Sequence, residues 1–413
     1  MKHTITIEDQ EYVIERNEKT IEQINLIEFL QQQALYPKFF WKSRGSDETT
    51  LAIGSCIQMH AVPSSIQADP QIRFYGGVCF PAELNHSTLW QHFPPSFFFL
   101  PSMEIIQNPS TTRLITYKKT GTRSTPKIEW EPEQVPPITT SCKRSDLPIK
   151  EDWIPLIEKG LDHIAQGHLI KMVLARMTTW QAYSRIDPYA LLQTLQARSL
   201  NTTLFFLMVQ EGDAFLGATP EKLYTRNRRK IHTEALAGTT LRGATQEEDL
   251  LYQKTLLHSR KDKTEVQAVE NFLTKACEPI TSEMSWDQDY RIIQTAKVQH
   301  LYKQLYGTLK EGVTDTDLLK RLHPTPAVAG LPQQASLSFI QKHESWDRGW
   351  YAGSIGWISQ DAADFAVSIR SALISSDKIH VFAGTGIVTG SDPYKEWEEL
   401  EHKISQFGEL FHE

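Results

Sequence analysis

Two stretches of this chain set carboxylates at helical spacing beside an apolar stripe. In SDPYKEWEELEHKISQFGEL, Glu396, Glu399 and Lys403 recur at steps of three and four, next to Trp397, Leu400, Ile404, Phe407 and Leu410. Glu398, Glu401 and His402 fall on the outward side. In HSRKDKTEVQAVENFL, Asp262 and Glu265 share the face of Val266, Val269 and Leu273, with Phe272 at its edge. Carboxylates at the border of a core are costly unless a cation meets them. One answer is structural: an acid pairs with a buried arginine such as Arg242 or Arg370. The other is a metal. Hard oxygen ligands from one or two carboxylates, completed by water and substrate oxygens, describe a magnesium site. No Cys/His spacing suits zinc.

Arg370 stands in the apolar run DFAVSIRSAL, as partner of a buried acid or as a fork for a substrate carboxylate; the second reading is preferred. Lys171 opens the apolar strand LIKMVLARMTTW. Burial there depresses an ammonium pKa and makes a base of it, unless the side chain snorkels out from the strand end. Glu221 follows Pro220 in a loop and reads equally as an exposed turn residue. Three glycine-bearing segments, LAGTTLRG, HPTPAVAG and AGTGIVTG, read as turns whose amides can approach an anion. The last mimics a dinucleotide fingerprint without the βαβ unit that would confirm it. No GxxxxGK[ST] loop is present.

The elements that must hold these groups run as follows. A helix is expected over about 21–34, then strands in TLAIGSC, RFYGGVCF and SFFFLPSMEI, and an exposed strand over 111–120. Residues 121–148, polar and proline-rich, read as a connecting loop. Then come a helix over about 150–166, the Lys171 strand, a helix over 187–198 and strand TLFFLMV. The hairpin-like AFLGATPEKLYTRN leads to KIHTEALAGTTLRG, a strand running into a glycine turn. A long helix over about 247–276, a mixed segment 290–309 and short helices over 315–322 and 333–342 precede strands WYAGSIGWIS and DFAVSIRSAL. The closing strand, glycine turn and helix take Asp392 or Ser391 as N-cap and Pro393 as first helical residue. A meander of strands with inserted helices indicates an α+β fold.

Bulk properties exclude several classes. The 413 residues are 40% apolar and 23% charged, with a net charge of −7, which disfavours a nucleic-acid partner. Cys56, Cys79, Cys142 and Cys277 are dispersed and suit buried thiols in a reducing compartment. No apolar leader opens the chain and no run spans a membrane, so a cytoplasmic protein is expected.

In their order along residues 168–403, IKMVLAR, FLGATPEKL, TEALAGTTLRG, SRKDKTE, LHPTPAVAGLP, RGWYAGSIGW, VSIRSAL and AGTGIVTGSDPYKEWEELEHK resemble the chorismate-utilising enzymes, specifically the isochorismate synthases. Weaker likeness lies upstream in YPKFFWKSR, FYGGVCF and FFFLPSMEI. The resemblance implies one large domain over 1–413, with two antiparallel sheets stacked face to face, helices outside and the active site in a cleft. Residues 1–145 form its more divergent part and 146–413 its catalytic core. It implies Mg²⁺ held by Glu265 and Glu399, with Glu396 and Asp262 around them, bridging to a carboxylate of chorismate. Lys171 matches the lysine that activates water for attack at ring C2, and Glu221 the acid that protonates the departing C4 hydroxyl. Gly238, Thr239, Arg370, Gly386 and Lys403 match substrate-anchoring positions, and His323 lies in a cleft-lining turn. The product would feed menaquinone, catechol-siderophore or salicylate biosynthesis.

Single residues separate the branches of this family. Anthranilate synthases lack a lysine at the position of Lys171. Many aminodeoxychorismate synthases carry a nucleophilic lysine where Ala237 stands. Salicylate and anthranilate synthases, which go on to expel pyruvate, tend to have threonine where Ala327 stands, so the alanine, a substrate-side position, favours stopping at isochorismate. Anthranilate- or salicylate-type chemistry, or non-catalytic binding, are the alternatives. Thr385 and Thr389 depart from the small residues the family often has there.

Overall fold

Strand sequences here are dominated by unbroken apolar runs, such as KFFWK, SFFFL and TLFFLM, because both faces of their sheets are covered. A computed structural model of the chain describes residues 1–81, 88–121, 140–409 and 411–412. Among these, one fourteen-stranded sheet carries Lys38–Lys42, Thr203–Met208, Asp213–Thr219, Ser371–Ser375, Lys378–Ile387 and Lys171–Ala182 as successive neighbours. A ten-stranded sheet carries Val298–Leu309, Lys230–Leu241, Lys222–Asn227, Ala362–Val367, Ser354–Ile358 and Phe74–Val78. Pairing is antiparallel throughout except for the short match of Thr140–Leu147 with Phe411–His412. Strands from the first hundred residues therefore enter both sheets, and the upstream part does not fold as a separate unit. The expected α+β sandwich with outer helices is the fold observed. No helix among the described residues is long and apolar enough to cross a membrane.

Trp90, Phe93, Phe215, Trp350 and Phe382 interlock edge-to-face and stacked, with centroids 5.5–6.4 Å apart. Each fully buried large side chain of this kind contributes about 1.5–3 kcal/mol by leaving water. All four cysteines are free thiols, three of them buried.

The functional geometry depends on two places where the chain passes from one sheet to the other. Asp213–Thr219 belongs to the large sheet and Lys222–Asn227 to the small one, so 214–227 is not a hairpin. Glu221 sits at that crossing. DFAVSIRSAL likewise divides into Ala362–Val367 of the small sheet and Ser371–Ser375 of the large one, with Arg370 between them rather than inside a strand. The Ala218 amide donates to the Arg370 carbonyl at 3.1 Å, tying the two crossings together. Apolar residues flank Arg370 closely in VSIRSAL, which is why that segment reads as one strand, whereas the Pro220 turn before Glu221 reads as the bend of a hairpin.

Other boundaries also move. Gln10–Ile21 is a strand, and the first helix is only Leu26–Gln32, capped by Asn25. Strand Thr112–Lys119 buries Leu114, Ile115 and Tyr117 and is not an exposed strand. Thr140–Leu147, reaching into the expected loop, is a strand of the large sheet, whereas 122–139 lies outside the described residues. LAGT is a bulge within Lys230–Leu241, and AGTGI belongs to Lys378–Ile387; only Gly390 is left for the turn. The long helix is two, Gln246–His258 and Arg260–Cys277, because Ser259 caps the second by accepting from the Asp262 amide. Glu401, only partly exposed, pairs at 2.9 Å with Arg176, whose guanidinium is fully buried and stacks 4.0 Å above Trp397.

Arg348 holds two walls of the fold together. Its Nη1 donates to the Val328 carbonyl and Nη2 to the Val173 carbonyl, both at 2.8 Å, while Nε donates to Glu344 at 2.7 Å. Glu344 also accepts from the Ala175 amide at 2.9 Å. Both side chains are almost wholly buried. Removing one partner of such a pair strands the other charge, so Glu344→Ala is expected to lower unfolding free energy by about 3–5 kcal/mol. Chemical denaturation checks this; a loss under about 1 kcal/mol would contradict it.

Candidate active site

A cavity of about 570 Å³ opens where the crossings, the long helix Arg260–Cys277 and the C-terminal helix Pro393–Gly408 meet. Lys171, Glu221, Gly238, Thr239, Asp262 and Glu265 line it, as do Ala327, Arg370, Gly386, Glu396, Glu399 and Lys403. Twelve residues nominated from sequence thus face one space. His323 does not. It is buried, its Nε2 donates to the Ala352 carbonyl at 2.8 Å, and its ring meets Phe80 edge-on. Burial lowers its pKa to about 4, as fits a neutral core histidine at the end of helix Asp315–Leu322.

Lys171 is buried, and its Nζ donates to Glu265 Oε1 at 3.0 Å. It does not snorkel out. The other oxygen of Glu265 accepts from the Gly238 amide at 3.3 Å. Burial works to raise the Glu265 pKa, but Lys171 first, then the Gly238 amide and Lys403, hold the carboxyl below the ordinary range. Gly238 has φ +67°, and an added Cβ would sit 2.8 Å from Asp262 Cβ, so the bulge that aims its amide requires glycine. That amide serves a carboxylate of the protein rather than standing free as an anion cradle.

On the C-terminal helix, Asp392 caps by accepting from the Tyr394 and Lys395 amides, and Pro393 follows. Lys403 Nζ donates to the Gly384 carbonyl at 2.9 Å and to Glu399. Burial opposes the Glu399 charge; Lys403 first, then Arg370, overcome it and keep its pKa low. Thr385 is buried and its hydroxyl donates to Glu396, while Thr389 is exposed.

Arg242 is engaged by Asp249, with Nε donating at 2.9 Å and Nη2 at 2.8 Å, so it neutralises none of the cavity acids. Arg370 makes no hydrogen bond or ion pair through its guanidinium with any described residue. Burial lowers its pKa against the favourable charge of Glu399 and the influence of Tyr351. Its φ of 52° costs about 1–3 kcal/mol in a non-glycine residue, which the surrounding sheet crossings must hold in place.

Glu221 is the opposite kind of carboxyl. It is 6% exposed and accepts from the Thr325 hydroxyl at 3.0 Å. Burial pushes its pKa up to about 7; Glu234 adds to the rise, while Thr325, Lys171 and Arg44 oppose it. One cavity therefore holds a carboxyl that keeps a proton near neutrality and two that do not, the separation that acid–base chemistry uses.

The donor set also fits a hard divalent cation. Glu265 and Glu399, with side chains 38% and 49% exposed, present ionised oxygens to the cavity. Among the described residues no three His, Cys, Asp or Glu groups converge on one point. Carboxylates, with water and substrate oxygens to complete the set, are the kind of ligand a hard divalent cation takes.

The chorismate binding enzyme family matches residues 59–411. The chain belongs to that family. It is 31% identical over 393 residues to the isochorismate synthase MenF of Pasteurella multocida, covering 92% of this chain and 88% of that protein. Against the chloroplastic isochorismate synthase of Catharanthus roseus it is 32% identical over 361 residues, 83% of this chain; it spans only 62% of that plant relative's length. The solved structure of the menaquinone-specific isochorismate synthase of Escherichia coli superposes with a TM-score of 0.86 at 26% identity, covering 99% and 96% of the two chains.

For this chorismate binding enzyme, sequence reasoning missed His300 and Tyr351, which also line the cavity. His300 lies in strand Val298–Leu309, with Nδ1 3.0 Å from the Thr239 hydroxyl. Burial first, then Arg370 and Lys403, lower its pKa to about 3, so it is neutral. A histidine in an alternating strand and a tyrosine in an apolar run carry no spacing signal that separates site from core. Gly386 pairs with Val173 across the sheet, and a Cβ there would stand 2.8 Å from Lys171 Cε. Gly386→Ala is expected to leave the melting temperature within a few degrees and lower catalytic turnover about a hundredfold by displacing Lys171. Unchanged kinetics would show that the close approach is incidental.

Proposed function

We propose that the chain is an isochorismate synthase, interconverting chorismate and isochorismate with Mg²⁺ as cofactor. The observation that carries this reading is the placement of a proton-bearing carboxyl, Glu221, and an amine, Lys171, in one cavity beside an unpartnered guanidinium. The named relatives support it, since those reported above are isochorismate synthases.

On this reading a C2–O bond forms from water as the C4–O bond breaks, with the ring double bonds shifting between them. Lys171, as the free amine left once its ammonium proton has passed to solvent, takes the proton released by the attacking water. Glu221 gives its proton to the departing C4 hydroxyl, which leaves as water, and solvent resets both groups. Arg370 receives a substrate carboxylate. Gly386 admits the ring beside Lys171, and Lys403 and Thr239 supply further donors. Glu265 and Glu399 would hold the metal directly, with Glu396 turned by Thr385 and Asp262 nearby. Bound there, magnesium supplies concentrated positive charge for a carboxylate of the substrate. Ala327 brings no hydroxyl to the cavity wall, in keeping with release of isochorismate rather than pyruvate loss. A cytoplasmic enzyme working as monomer or homodimer for menaquinone, siderophore or salicylate synthesis completes the proposal.

Purified protein with chorismate and Mg²⁺ is expected to yield isochorismate by chromatography, and EDTA to stop it. Salicylate with pyruvate as sole products, or anthranilate on adding ammonia, would contradict the assignment. Lys171→Ala and Glu221→Gln should each lower kcat by 10²-fold or more. Because Glu221 must be protonated to act, forward turnover should fall as pH rises through about 7. A forward rate that instead climbs steadily across that range would remove Glu221 from the donor role.

A further inference from the structure

The peptide groups on both sides of Glu221 are held by a buried ion pair from outside its own segment. Arg44 Nη1 donates to the carbonyl of Pro220, the residue before Glu221. The amide of Lys222, the residue after it, donates to Glu234 Oε1 at 3.1 Å. The pair is closed by Arg44 Nη2 donating to Glu234 Oε2. Arginine, carboxylate and the 220–222 backbone thus form one ring around the crossing between the sheets. The residue's own peptide is fixed as well, its amide donating to the Thr219 hydroxyl at 3.2 Å and its carbonyl accepting from Val367 at 3.1 Å.

The two partners come from distant parts of the sequence. Arg44 stands just after strand Lys38–Lys42 of the large sheet, its amide donating to the Thr203 hydroxyl at 3.0 Å. Glu234 lies in strand Lys230–Leu241 of the small sheet. Their side chains are 11% and 1% exposed. A buried pair seldom stabilises more than packed apolar residues of the same volume. What an apolar substitute lacks here is the hydrogen bond to each peptide flanking Glu221.

We propose that Arg44 and Glu234 are positioning residues for Glu221, gripping the backbone on either side of it and setting the charge its carboxyl meets. This rests on the assignment of Glu221 as proton donor. The groups facing that carboxyl are the Thr325 hydroxyl, the Glu234 carboxylate, the ammonium of Lys171, the guanidinium of Arg44 and the Tyr351 phenol. Glu234 favours the protonated acid; Lys171 and Arg44 favour the carboxylate. Removing Glu234 and removing Arg44 must therefore shift the acid in opposite directions, which loss of structure alone does not do.

The test is the pH profile of kcat for chorismate with saturating Mg²⁺, in wild type, Glu234→Gln, Arg44→Met and the double variant, with Glu221→Gln as control. Glu234→Gln, which keeps an oxygen for the Lys222 amide, should move the high-pH limb down by about one unit. Arg44→Met should move it up by a similar amount and lower kcat about a hundredfold by releasing the Pro220 carbonyl. The double variant should bring the limb back towards wild type while kcat stays low. Limbs that do not move, or move the same way, with Glu221→Gln inactive, overturn the positioning role and leave Glu221 as donor. A Glu221→Gln enzyme with wild-type rate and limb overturns the donor assignment, and this proposal with it. If Arg44→Met yields no folded protein, Glu234→Gln decides alone.

Discussion

A 3.0 Å ion pair between Lys171 and Glu265 joins strand Lys171–Ala182 of the large sheet to the helix laid against the small one. Everything around it answers the constraint that charge placed between two apolar sheets must be met by charge or by a hydrogen bond. The Gly238 bulge turns an amide toward Glu265, and Gly386 leaves room for the Lys171 side chain. Lys403 repeats the device on the C-terminal helix, holding Glu399 ionised while reaching the Gly384 carbonyl. Behind that helix, Arg176 stacks on Trp397 and pairs with Glu401, so the acid-bearing face is braced from its rear.

The same constraint separates the carboxyls into two kinds. Glu265 and Glu399 have a cation in contact and remain ionised; Glu221 has a hydroxyl donor and a neighbouring acid, and burial lifts it to about 7. The difference is one of surroundings, not residue type, and the proposed chemistry uses both: a carboxyl with a proton to give, and carboxylates able to hold a hard cation. Arg370 is the exception to compensation. Its strained backbone and unmatched guanidinium at a sheet crossing mark the place where a ligand anion is expected to complete the balance.

Much of this was legible in the residues themselves. Periodicity placed Asp262 and Glu265 on one helix face, and Glu396, Glu399 and Lys403 on another, because i, i+3 and i, i+4 positions stack whatever the tertiary context. The resemblance to chorismate-utilising enzymes supplied Glu221, which local pattern had left as a turn residue. The crossings were not legible: VSIRSAL reads as one apolar strand and ATPEKL as a hairpin bend, and nothing local says that the chain changes sheets there. For the same reason AGTGI looked like a turn when it is strand, and Ser259 was hidden inside a helical pattern that it interrupts. His323 was misplaced because membership of a cleft-lining segment does not fix where a side chain points. Arg44 and Glu234 act through contacts 190 residues apart in sequence, beyond the reach of any spacing argument.

The central claim is that Lys171 and Glu221 exchange one hydroxyl for another, water entering at C2 as the C4 oxygen departs. Turnover of chorismate in water enriched in ¹⁸O tests this most directly, with the product analysed by mass spectrometry. The account predicts isochorismate carrying one heavy oxygen, located on the C2 hydroxyl, from the earliest time points. Isochorismate formed without solvent oxygen would mean that the hydroxyl migrates within the substrate, and would contradict the roles assigned to both residues.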